Sequence, residues 1–188
     1  MDARAAAVAS TRERITTAAT GLFLEQAFED VTLAAIAAAA GVSHQTVLNH
    51  FESKEGVVLA VAEALRAETT DTRAAEPGDV AGALRALVDD YERMGDANVR
   101  WIAASARIST LAALLDEARR GHQAWIDAMF GPHLPAGRTE RRRAVHALQV
   151  ATDVGTWKLL RRDLRLGRPE TERTMLDLAV GALRGSTP

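Results

Sequence analysis

Along the first quarter of the chain, Val8, Ile15, Ala18, Ala19, Leu22 and Phe23 recur at spacings of three and four. That pattern predicts one apolar stripe on a helix over about residues 10–26. Thr32 then stands as an N-cap before Leu33, Ile36 and Ala37, and Gly41 closes this short helix as a C′ glycine. Ser43 caps a third helix over about residues 44–50, and Ser53 a fourth that reaches about Arg73. A helix of roughly eight residues, a Gly-Val-Ser turn and a second short helix form a helix-turn-helix.

Pro77 and Gly78 mark the clearest break. Beyond it, Leu84, Leu87, Val88 and Tyr91 share one face of a helix over about residues 80–98, followed by helices near 101–107 and 111–130. Gly131, Pro132, Pro135 and Gly137 break the chain again before a long helix over about 139–164. Pro169 opens a last helix over about 170–184, since proline suits a helix start. The expectation is an all-α protein of about nine helices. A three-helix domain with the helix-turn-helix occupies residues 1–56, and a second helical domain residues 57–188.

Composition supports that class. Hydrophobic residues are 47% and aromatics only 4% of the 188 residues, so helix formers dominate and sheet formers are scarce. The absence of cysteine excludes disulfides, thiolate metal sites and cysteine nucleophiles. The apolar run 31–42 is too short to cross a bilayer. The Ala-rich N-terminus lacks the basic start and apolar core of a signal peptide, so a cytoplasmic location is expected. Net charge is −2, and its distribution is uneven. Residues 1–56 carry four cations against seven acids, whereas residues 138–168 carry nine cations against three acids.

The third helix carries the chemistry. Val47 and Phe51 are spaced to face inward, which turns His44, Gln45, Leu48 and Asn49 outward. Amides on a short helix suit the major groove, where they pair with adenine edges. His50 and Lys54 flank that face within reach of phosphates, and Thr32 at the N-terminus of the second helix offers the same.

Residues 31–54 read VTLAAIAAAAGVSHQTVLNHFESK, and this stretch resembles the DNA-binding domain of the TetR family of transcriptional regulators. Thr32, Ile36, Ala37, Gly41, Val42, Ser43, Thr46, Val47, His50, Phe51, Ser53 and Lys54 carry the match. The resemblance implies phosphate contacts at His50 and Lys54 and base contacts near His44 and Gln45, and it adds Ser43 and Thr46 to the DNA-facing set with Thr32 and Asn49. It further implies a double-stranded operator, a homodimer and a repressor released by a small molecule. Leu48 departs from the aromatic usual in the family, and Ala34 and Ala35 from its polar residues. Both departures point to fewer phosphate contacts, for which Arg4, Arg12 and Arg14 are expected to compensate from an N-terminal arm.

All three tryptophans and the single tyrosine lie beyond residue 90. Tyr91, Met94, Trp101, His122, Trp125, Met129 and Trp157 are therefore candidates to line a cavity for a largely apolar or aromatic effector, or else to fill the core. The resemblance favours the cavity. It also assigns the dimer seam to the last two long helices, through Val145, Leu148, Ala151, Val154, Gly155, Leu176, Leu178, Val180 and Leu183. The cations of residues 138–168 are read as a face paired with the acidic middle of the chain, where residues 57–137 hold eight arginines and twelve acids. Nucleic-acid binding is the competing use of that stretch.

No metalloprotease, hydrolase, dinucleotide or phosphate-loop spacing occurs, and no histidines lie four apart, so neither catalysis, metal nor cofactor is expected. The alternative to a regulator is a helical small-molecule or protein-interaction module whose helix-turn-helix has lost its grip on DNA.

Overall fold

The computed structural model describes residues 2–184 of the chain, and side chains from Arg4 onward. Among the described residues there are nine α-helices and no strand. They are α1 (Asp2–Glu25), α2 (Leu33–Ala40), α3 (His44–Phe51), α4 (Lys54–Thr72), α5 (Val80–Ser105), α6 (Ser109–Phe130), α7 (Arg138–Ala151), α8 (Val154–Lys158) and α9 (Arg168–Arg184). The chain forms two compact units. One runs up to Glu68 and takes in Arg100–Leu114, and the other comprises Thr69–Val99 and everything from Leu115 onward.

The number of helices agrees with the sequence pattern, but the partition differs in two places. The expected break near residues 99–100 is absent: Asn98, Val99 and Arg100 continue α5 without a glycine or proline to stop it. The expected single helix over 139–164 is divided. α7 ends at Ala151, and Asp153 caps α8 by accepting the Gly155 N–H at 2.6 Å. After Lys158 the chain runs on as a π-helical turn, Leu159–Asp163. At the other end, α1 starts earlier than the apolar stripe, because the alanine-rich stretch before Arg12 propagates a helix without a buried face.

In the first unit, Ile15, Ala19 and Phe23 of α1 are fully buried with Ile36 of α2 and Val47 of α3. Val57, Val58 and Val61 of α4 complete that core, each side chain contributing about 1–2 kcal/mol by leaving water. Phe23 stacks on Phe28 at 5.7 Å and meets Trp101 edge-on at 6.1 Å. Arg100 donates to the Leu24 carbonyl, and Arg107 pairs with Glu29 at 2.8 Å.

In the second unit, Leu84, Leu87, Val88 and Tyr91 of α5 pack with Ile126 and Phe130 of α6, Leu148 of α7, Trp157 of α8 and Met175 of α9. Three acids of α5 hold the C-terminal cations. Asp89 pairs with Arg168, Glu92 with Arg161 at 2.8 Å, and Asp96 with Arg162 at 2.9 Å. With Arg141, which pairs with Asp127 at 2.9 Å, four cations of the arginine-rich stretch meet acids from the middle of the chain.

Candidate nucleic-acid interface

The geometry of α2 and α3 follows from local chemistry. Thr32 accepts the Ala35 N–H at 3.1 Å and starts α2. Gly41 takes the left-handed conformation at φ 65°, which lets its N–H and that of Val42 return to the Ala37 and Ala38 carbonyls. Ser43 then accepts the Thr46 N–H at 3.0 Å, and its hydroxyl lies 2.8 Å from that of Thr46. Ser43 and Thr46 thus start α3 through their hydroxyls, and one of the two O–H groups is left to donate elsewhere. At its far end, Glu52 adopts φ 64°, a costly conformation for a residue with a side chain, and stops the helix.

Val47 and Phe51 are buried, and Ser43, His44, Gln45 and Asn49 are exposed, as the spacing requires. Gln45 donates through Nε2 to Asn49 Oδ1 at 2.9 Å. The bond links the two amides along the outer face and leaves the Gln45 carbonyl oxygen and the Asn49 NH2 for other partners. Thr32 is exposed at the start of α2, while Thr46, Leu48 and His50 are half-buried.

Lys54 is placed differently from the other candidates. Its ammonium donates to the Phe28 carbonyl and sits 4.2 Å from the centre of the Phe28 ring. Burial lowers its pKa, partly offset by Glu29, Glu55 and Asp30. Lys54 therefore ties the start of α4 to the chain between α1 and α2.

Two residues at this site carry no signal in the local pattern. Arg12 of α1 donates through Nη1 to the His50 carbonyl at 2.7 Å, and its guanidinium carbon lies 4.2 Å from the centre of the Phe51 ring. Gly56 of α4 presses against the Phe51 carbonyl, leaving no room for a Cβ. Arg12 reaches the last turn of α3 from 38 positions away, and Gly56 closes on it only once the chain has turned at Glu52, so spacing alone does not reveal them. Beside them opens a cleft of about 660 Å³, lined by Arg12, His50, Glu52, Leu59, Glu63 and several alanines.

The candidate effector residues are distributed between the two units. Trp101 belongs to the first unit, against Phe23. The others belong to the second, where each polar head has a partner. Tyr91 donates to the Thr152 carbonyl at 2.9 Å, and burial pushes its pKa up to about 12. Trp157 donates to Glu92 at 3.0 Å, and Trp125 to the Arg73 carbonyl at 3.2 Å. His122 stacks on Trp125 at 5.4 Å and bonds the Thr152 hydroxyl at 2.8 Å. Burial, with the nearby Arg73 charge, lowers its pKa to about 4. Met94 is buried near Thr69, and Met129 is half-buried against the same core.

Beneath this cluster, Asp90 has a fully buried carboxylate held by Arg73 at 2.6 Å and Arg93 at 2.9 Å. Among the described residues no cluster of three or more His, Asp or Glu side chains is arranged to hold a metal ion. No described helix is long and apolar enough to cross a membrane.

Residues 15–61 match the model of the bacterial regulatory proteins, tetR family. In fold, the chain is similar to a tetR-family transcriptional regulator from Streptomyces coelicolor, at TM-score 0.79 and 19% identity, covering 94% of this chain and 82% of that one. It is also similar to a transcriptional regulator from a Rhodococcus species, at TM-score 0.74 and 18% identity over 93% and 96% of the two chains. GusR of Salmonella enterica aligns at TM-score 0.72 and 20% identity, again over 93% and 96%. No curated protein matches the sequence.

Proposed function

We propose that the chain, whose residues 15–61 match the model of the bacterial regulatory proteins, tetR family, is a ligand-responsive transcriptional repressor. The observation that carries the reading is the outer face of α3. His44, Gln45 and Asn49 are exposed and have no part in the core, while Val47 and Phe51 hold the helix from behind. Gln45 and Asn49 offer amides for adenine edges, and Thr32, Ser43, Thr46 and His50 surround them for backbone contacts. Lys54 joins the phosphate set on exchanging the Phe28 carbonyl for DNA.

Two copies bind a pseudo-palindromic operator, with recognition helices in successive major grooves about 34–36 Å apart. The dimer forms through α7 and α9, where Val150 and Leu178 remain exposed at 67% and 48%. The effector is a largely apolar or aromatic small molecule recognised in the second unit, beside the half-buried His122, Trp125 and Met129. It releases the operator by binding the DNA-incompetent state more tightly.

Selection of duplexes from a random pool, followed by anisotropy titration at two salt concentrations, tests the reading. A palindromic consensus with a steep negative salt slope supports it. The absence of enrichment from ligand-stripped protein sinks it. That result would favour a helical binding module without DNA contacts, a reading to which the engaged Lys54 and the non-aromatic Leu48 lend some support.

A further inference from the structure

We infer that Arg12 is a positioning residue for DNA binding, which holds the C-terminal turn of the recognition helix from α1 and does not itself contact phosphate. The inference rests on α3 being the DNA-reading helix. It reassigns a cation that sequence places in an N-terminal arm.

The last carbonyls of a helix have no partner within it. In α3 the Leu48 carbonyl accepts the Glu52 N–H at 2.8 Å, and the Phe51 carbonyl accepts the Ser53 N–H at 2.7 Å. The His50 carbonyl is met by Arg12 at 2.7 Å. A cation at this end also opposes the negative pole of the helix dipole. The carbon of the same guanidinium lies 4.2 Å from the centre of the Phe51 ring, and Phe51 is itself held in the core at 5% exposure. Two anchors on consecutive residues resist both sliding of α3 along its axis and rotation about it. Gly56 closes on the same turn from α4.

The surroundings argue against a phosphate role. The cleft beside Arg12 is lined by Glu52 and Glu63, and among the described residues Arg12 is the one lysine or arginine lining it. A phosphate approaching there meets the Glu52 carboxylate and a Glu63 already paired with Arg66 at 2.6 Å, and it must compete with a carbonyl and a ring already in place.

Duplex selected from the random pool is titrated with wild type, Arg12→Ala and Arg12→Lys at several salt concentrations, and amide hydrogen exchange is followed in the free proteins. Arg12→Ala is expected to bind about three- to tenfold more weakly at every salt concentration, with a parallel slope. Exchange of the α3 amides becomes faster while that of α7 and α9 is unchanged. Arg12→Lys, which keeps the charge and a donor, restores part of the affinity. A slope flatter by about 1.8, one lost phosphate contact from each of the two bound copies, overturns the inference. Unchanged affinity or unchanged α3 exchange overturns it equally. Should Arg12→Ala fail to fold, Arg12→Gln, which keeps an N–H donor without the charge, is carried through the same measurements. If wild type binds no duplex, the regulator reading falls. The α3 exchange rates then still decide whether the clamp exists.

Discussion

Gly56, in the first turn of α4, lies so close to the Phe51 carbonyl that a Cβ at this position would collide with the oxygen. Two effects of Gly56→Ala oppose each other. Alanine favours a helix interior over glycine by about 1 kcal/mol. The clash is with backbone, which cannot swing aside, and Phe51 is fixed by the core and by Arg12. The steric effect wins, so Gly56→Ala is expected to destabilise the protein by about 1–3 kcal/mol. Urea unfolding followed by circular dichroism gives the value, and a stabilised variant would show that the α3–α4 corner yields.

The Asp90 carboxylate is fully buried between Arg73 and Arg93, and the Arg73 side chain is itself only 11% exposed. Asp90→Asn keeps the shape and removes the charge, leaving the Arg73 guanidinium desolvated beside a neutral amide. Breaking a buried pair on one side costs about 3 kcal/mol. The urea midpoint of Asp90→Asn should fall accordingly with an unchanged denaturant slope. A loss below about 1 kcal/mol would mean that Arg73 finds water.

His122 has its pKa lowered from the ordinary 6.5 to about 4 by burial and by the Arg73 charge. The Thr152 hydroxyl is within 2.7 Å of the Leu148 carbonyl and donates to it, so it accepts from the Nε2–H of a neutral His122. Below pH 6.5 the unfolded chain takes up a proton that the folded protein refuses. The stability contribution is therefore present above pH 6.5 and is lost as the pH falls towards 4, reaching about 2–3 kcal/mol. Urea midpoints at pH 7, 5.5 and 4.5 should decline more steeply in wild type than in His122→Gln. Parallel declines would place the acid sensitivity elsewhere.

The difference between what the sequence reveals and what it hides follows the range of the interactions. Thr32, Gly41 and Ser43 cap their helices within a few residues, and Val47 and Phe51 face inward by simple helical spacing, so α2, α3 and the exposed amides are legible. The Asp153 cap is equally local, but it sits inside an apolar pattern that runs on from Val145 to Leu164 and conceals the break. Arg12 and His50 lie 38 positions apart, and the bond between them follows from how α1 packs. Lys54 looks like a free cation beside α3 until the fold places the Phe28 carbonyl next to it. Trp101 resembles the other tryptophans in sequence, yet Phe23 claims it for the first unit.

Gln45 and Asn49 are joined by a 2.9 Å bond on the exposed face of α3, four residues apart. In isolation such a pair contributes only about 0.2–0.5 kcal/mol to a helix, so replacing either residue has little effect on folding. Bidentate amide–adenine contacts discriminate by about 1–3 kcal/mol. Gln45→Ala and Asn49→Ala should therefore keep the wild-type unfolding midpoint within about 0.5 kcal/mol. Both should weaken binding to the selected duplex more than to a scrambled one. Competition titration with the two duplexes measures the ratio, and an equal loss on both would assign these residues to backbone contacts.

The dimer surface makes the last prediction. Of the seam residues expected from sequence, Val145, Leu148, Ala151 and Val154 are buried within the chain and offer little surface to a second copy. The exposed large apolar side chains described on this pair of helices are Val150 at 67% and Leu178 at 48%. Around Gly181, which is exposed, a Cβ would meet nothing within 4 Å. α7 and α9 pack against each other, so these positions belong to one helix pair that a second copy can match by two-fold symmetry. Val150→Glu and Leu178→Glu each place a carboxylate where two copies would bury it unpaired, while costing the single chain little because both positions face water. Light scattering should give twice the chain mass for wild type and the chain mass for the double variant. The variant should also lose binding to the full operator more than to a half-site, because only the dimer engages both halves. A wild type that scatters as a single chain would remove the dimer and the paired-groove geometry together.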